Sequence, residues 1–132
     1  MQLYLWIMAG SALGGGARFL VSGAVANWLG PAFPWNTLVV NVTGSFVIGF
    51  FATLTGPDGR MFVGSTTRQF VMTGICGGYT TFSSFSLQTL TLVQEEEWLR
   101  ASGNVVLSVV CCLIAVWLGH LAAASINGLK GA

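Results

Sequence analysis

The sequence predicts an all-α membrane protein: four transmembrane helices in a single domain over residues 1–132, the third helix interrupted near its middle, assembled as an antiparallel dual-topology homodimer. Three observations point there. First, 54% of the 132 residues are hydrophobic and 7% are charged, with a mean hydropathy of +0.76, which leaves too few charges to clothe a surface in water. Second, the bases Arg18, Arg60, Arg68, Arg100 and Lys130 and the acids Asp58, Glu95, Glu96 and Glu97 leave four nearly uncharged stretches. Each is long enough for a span of about 20 residues, and together they leave no room for a soluble domain. Third, the 26 residues between Arg68 and Glu95 contain GGYTTFSSFS at Gly77 to Ser86. A lipid-facing helix has little reason to carry two adjacent glycines, each weakening it by about 1 kcal/mol, followed by Tyr79 and five hydroxyls. Irregular backbone at membrane depth is tolerated where it is buried in protein or lines a wet cavity.

Helix 1 is expected over about Leu3 to Ala26. Its start lacks the basic leader of a signal peptide and its apolar stretch runs on too long for one, so it reads as the first span. Gly10, Gly14, Arg18 and Ser22 recur every four residues and form a seam for close helix approach. Arg18 is read either as snorkelling to the interface or as a fixed positive charge at the mouth of an anion path.

A connection over 27–34 with two prolines leads to helix 2, about Trp35 to Thr55, opened by an interfacial tryptophan. Thr37, Asn41 and Ser45 repeat at four-residue spacing as a polar stripe. A buried amide at Asn41 has two donors and an acceptor to satisfy, so it is either interhelical glue or a pore-lining ligand.

Helix 3 is expected over about Arg68 to Gln94. Beyond the break Phe82 and Phe85 share a face, beside a row of Thr81, Ser84 and Gln88. The acidic run Glu95 to Glu97 reads as a solvated helix end. Helix 4 follows over about Leu99 to Ile126, with Asn104 and Ser108 four apart and a small-residue seam of Ala115, Gly119 and Ala123. His120 reads as a packed or interfacial residue. The three cysteines, Cys76, Cys111 and Cys112, form neither a disulfide framework nor a zinc site and read as small packing residues.

Loop charge differs little between the two sides: Arg60, Arg68 and Lys130 against Arg100 and, marginally, Arg18. So weak a positive-inside bias lets a chain insert both ways, and two opposed copies would give the polar stripes somewhere to face. No basic cluster invites nucleic acid. Every acid lies in a connection or at a helix end, so the carboxylate of a proton-coupled exporter is missing, which sets a small multidrug-type exporter second. A non-transporting structural subunit comes third. The lone histidine has no evident nucleophile or orienting acid, so no enzyme is expected. What remains inside is Asn, Ser and Thr donors, aromatic rings and an arginine, which suit a small anion.

The chain resembles the small fluoride channels of the Fluc or CrcB family. The resemblance is carried by GGGARF at Gly14 to Phe19, FPWNTLVVNVTGSF at Phe33 to Phe46, GGYTTFSSFS, and the segment from Asn104 to Gly119. It implies a multi-pass protein of the cell inner membrane and a dual-topology homodimer with two antiparallel pores that export fluoride passively. It implies that Phe82 and Phe85 line the pore with Asn41 beside them, and that Ser84, Ser108, Thr37 and Thr81 belong to its polar track. Arg18 would draw anions into a vestibule. It also implies a structural sodium ion at the dimer centre, held by the backbone carbonyls of Gly77 and Thr80. Some relatives have tyrosine at the position of Asn104 and glycine at that of Asn36, departures that concern the outer pore contacts.

Overall fold

The computed structural model describes residues 1–129, so Lys130 lies outside the described residues. Five helical elements occur in chain order: α1 (Gln2–Leu29), α2 (Trp35–Leu54), α3 (residues 65–79), α4 (Phe82–Gln94) and α5 (Trp98–Leu129). α1, α2 and α5 are each long and apolar enough to cross a membrane. α1 continues three residues past the expected Ala26. It stops at Gly30, whose φ of 82° suits glycine and whose N–H donates to the Ala26 carbonyl. Helix 2 ends one residue early, and helix 3 begins at Ser65 rather than Arg68.

Small residues decide the packing. α2 and α5 lie together because Gly49 and Gly119 each face the other helix's backbone. A Cβ on Gly49 would sit 2.3 Å from the Val116 carbonyl oxygen, and one on Gly119 would sit 2.2 Å from that of Phe46. Ala115 and Ala123 are buried on the same seam. α1 packs on α3 in the same manner: Gly10 faces the Phe70 carbonyl, Gly14 that of Ile75, and Gly78 that of Ser11. Where α1 crosses, residues Phe70–Cys76 wind as a π-helix, a wide turn that the sequence did not suggest.

Side chains pin the end of the bundle where α2 and α5 finish. Arg68 donates to Thr55 Oγ1 and the Ala52 carbonyl, Asn127 donates to the Thr53 carbonyl, and the Arg60 N–H donates to Asn127 Oδ1. His120 Nδ1 lies 2.7 Å from Thr53 Oγ1 on an exposed face. Glu97 and Arg100 approach to 3.7 Å across the exposed turn between α4 and α5.

Thr80 and Thr81 separate α3 from α4, with φ/ψ of −80°/156° and −150°/110°, both extended. The glycines expected to loosen this segment do not. Gly77 is helical (φ −63°, ψ −37°), and Gly78 lies within Gly77–Tyr79, where it lets Ser11 of α1 approach.

Candidate functional site

Thr81 is held by side chains rather than by helix, while the Thr80 N–H keeps its bond to the carbonyl four residues back. Asn41 of α2 donates from Nδ2 to the Thr81 carbonyl at 3.0 Å, and its Oδ1 accepts the Thr81 N–H at 2.7 Å. Thr81 then caps α4: its Oγ1 accepts the Ser84 N–H at 3.2 Å and donates to Ser84 Oγ at 3.1 Å. On the other side of the break the Thr80 N–H and hydroxyl both donate to the Cys76 carbonyl. Arg18 Nε donates to the Gly78 carbonyl at 3.1 Å, which ties its guanidinium to the break.

Two donors are thereby diverted. In a continuous helix the Thr81 N–H would serve the Gly77 carbonyl and the Ser84 N–H that of Thr80, each four residues back. Here they serve Asn41 Oδ1 and Thr81 Oγ1. The carbonyls released are those of the two residues expected to hold a cation, and both residues line one open groove of about 430 Å³.

The expected site residues fall on two sides of the break. Asn41, Thr80, Phe82, Phe85 and Ser108 share the groove with Gly77. Arg18, Thr37 and Ser84 line a second, smaller pocket of about 160 Å³ together with Ser22. Thr81 lines both, so it is the wall between them. Among the described residues lining the smaller pocket there is one fixed positive charge, four hydroxyls and no acid.

The rings of Phe82 and Phe85 meet at a centroid separation of 5.2 Å and 52° between planes, a tilted contact that turns an edge toward the neighbouring face. Phe85 is 9% exposed and Phe82 76%. Ser108 is buried and donates to Asn104 Oδ1 at 3.3 Å. Asn104, 2% exposed, donates in turn to Thr89 Oγ1 at 2.9 Å.

Several participants were not among the expected site residues. Met72, Cys76 and Cys112 line the groove. Tyr79 Oη pairs with Thr43 Oγ1 at 2.9 Å, and Asn36 donates to Ser22 Oγ at 2.9 Å beside the smaller pocket. Tyr79 stands out in the sequence for its polarity and Asn36 as a departure from relatives, neither with a place in the site. The cysteines give no such signal.

Residues 5–120 match the family described as "CrcB-like protein, Camphor Resistance (CrcB)". The chain is 66% identical over 131 residues to the "Fluoride-specific ion channel FluC" of Opitutus terrae, covering 99% of both chains. It is 64% identical over 129 residues to the FluC of Methylocella silvestris, 98% of both chains, and 64% identical over 124 residues to that of Rhodospirillum rubrum, 94% of this chain and 96% of the other. With the match extending from α1 through most of α5, the chain belongs to the CrcB-like protein family.

Proposed function

We propose that this chain is a fluoride-selective ion channel. Two copies, inserted antiparallel in the cell inner membrane, form two pores that let fluoride leave passively and so protect the cell from it. The names of its relatives support the substrate. The observation that carries the mechanism is the smaller pocket, where Arg18 stands among the hydroxyls of Ser22, Thr37, Thr81 and Ser84 beside an interrupted helix.

A hydrated fluoride ion meets the Arg18 guanidinium first, whose field is strong in a low-dielectric pocket. Hydroxyl donors from Thr37, Thr81 and Ser84 replace its water shell one contact at a time. Past the Thr81 wall lie Phe82 and Phe85, whose ring edges carry partial positive charge. Asn41 spends one amide hydrogen on Thr81 and keeps a second for the ion. Ser108 continues the track. Neutral donors bind a small anion without trapping it, as conduction requires.

The exposed groove and the exposed face of Phe82 fit a second, oppositely inserted copy as their cover. The released carbonyls of Gly77 and Thr80 would hold sodium there, two from each copy. When bound, sodium would supply a fixed hard charge that tethers the two chains through oxygen ligands.

The test is anion efflux from liposomes holding the purified protein. Rapid fluoride release with chloride retained is the expected result, together with dimers on chemical cross-linking in the membrane. Equal release of both anions, or no release of either, would sink the proposal.

A further inference from the structure

The stretch between α3 and α4 poses a physical question that its composition does not answer. Gly77 and Gly78 are helical, so the chain leaves the helix only at Thr80, and the glycines do not cause the departure. What does is visible in the bonding. Asn41 Oδ1 takes the Thr81 N–H at 2.7 Å, a short and direct contact, and Nδ2 returns a bond to the Thr81 carbonyl. An N–H with no such acceptor at this depth would have one partner within easy reach, the Gly77 carbonyl four residues back.

We propose that Asn41 is a positioning residue for a cation: its amide oxygen holds the Thr81 N–H away from the Gly77 carbonyl, which keeps that carbonyl free to face the groove. Asn41 does not itself touch the cation. It acts through the backbone it grips, from a different helix, so that α2 decides whether the break in the 65–94 segment presents one carbonyl or two. Thr81 Oγ1 performs the matching service for Thr80 by taking the Ser84 N–H. The inference rests on the sodium reading given above.

The experiment is a thermal unfolding series of the intact dimer in lipid-detergent micelles, titrated with Na⁺ against N-methylglucamine. Wild type is expected to gain stability with Na⁺ and to saturate. Asn41→Leu, which removes both contacts at similar volume, is expected to need at least tenfold more Na⁺ for half of the gain. Asn41→Asp keeps the acceptor for Thr81 and is expected to stay within about threefold of wild type. Asn41→Ser carries the same expectation as Asn41→Leu if the leucine variant does not assemble. A merely structural asparagine would lower every midpoint alike and leave the Na⁺ dependence where it was, and that result overturns the proposal. A wild-type midpoint indifferent to Na⁺ fails the sodium reading itself, a separate and recognisable outcome.

Discussion

Asn41 grips the backbone of Thr81 from both sides, accepting its N–H at 2.7 Å and donating to its carbonyl at 3.0 Å. A side-chain amide thus does what a neighbouring strand would do, for one residue, in the middle of a helical protein. Each such bond contributes about 1 kcal/mol. Four further expectations follow from the geometry around this contact.

The two phenylalanines differ in burial, and substitution separates their roles. Replacing either Phe82 or Phe85 with isoleucine removes an aromatic edge from the proposed path, and fluoride efflux should fall at least tenfold in each case. Phe85→Ile should also lower the unfolding temperature through packing within the chain, whereas any such effect of Phe82→Ile, 76% exposed in the single chain, should depend on assembly with the second copy. The cost of Phe85→Ile should be about 1 kcal/mol. Fluoride-electrode traces and thermal melts of the same preparations check both.

Arg18 offers charge and one directed bond. Arg18→Gln keeps a donor for the Gly78 carbonyl but removes the field, so efflux should slow at low ionic strength and converge on wild type as salt screens the difference. Arg18→Lys keeps the charge without the fixed Nε, and should retain the salt dependence while losing stability. Initial efflux rates measured between low and high impermeant salt distinguish the two.

The α1 to α3 contact has almost no slack at Gly14. A methyl there would lie 2.1 Å from the Ile75 carbonyl oxygen, and neither backbone can retreat. Gly14→Ala should therefore cost about 3 kcal/mol or prevent assembly altogether. Gly16, two positions away, has nothing near its Cβ direction, so Gly16→Ala should be neutral or stabilising by up to about 1 kcal/mol. Size-exclusion profiles and melting temperatures of the pair give the answer.

Thr81 is a cap as well as a wall. Thr81→Val keeps the shape but loses the acceptor for the Ser84 N–H, and should destabilise α4 by about 1 kcal/mol. Thr81→Ser should match wild type within a few tenths of that amount. Amide exchange at Ser84, faster in the valine variant alone, is the specific measurement.

The helices were legible in the sequence because charge, Arg18 apart, lies at or beyond their ends and small residues recur every fourth position. Gly10, Gly14 and Gly119 could be assigned to close seams on spacing alone, and their neighbours' backbones are where that spacing requires. The polar stripe of α2 was legible too, but not its division: Thr37 belongs to one cavity and Ser45 to the other, since Thr81 stands between them. Two things were not legible. The glycine pair suggested a loosened backbone, yet a glycine in a tight crossing and one in a broken turn look alike in sequence, and only the approach of Ser11 distinguishes them. The π-helical turn over Phe70–Cys76 leaves no compositional trace, because it answers to α1 crossing above it.

The two extended residues carry a further electrical consequence. By ending one helix and beginning another two residues later, they set the negative pole of α3 near the positive pole of α4, each equivalent to about half an elementary charge. A single interruption therefore offers opposite polarities side by side in the backbone itself, to which the Arg18 guanidinium adds its charge at the Gly78 carbonyl.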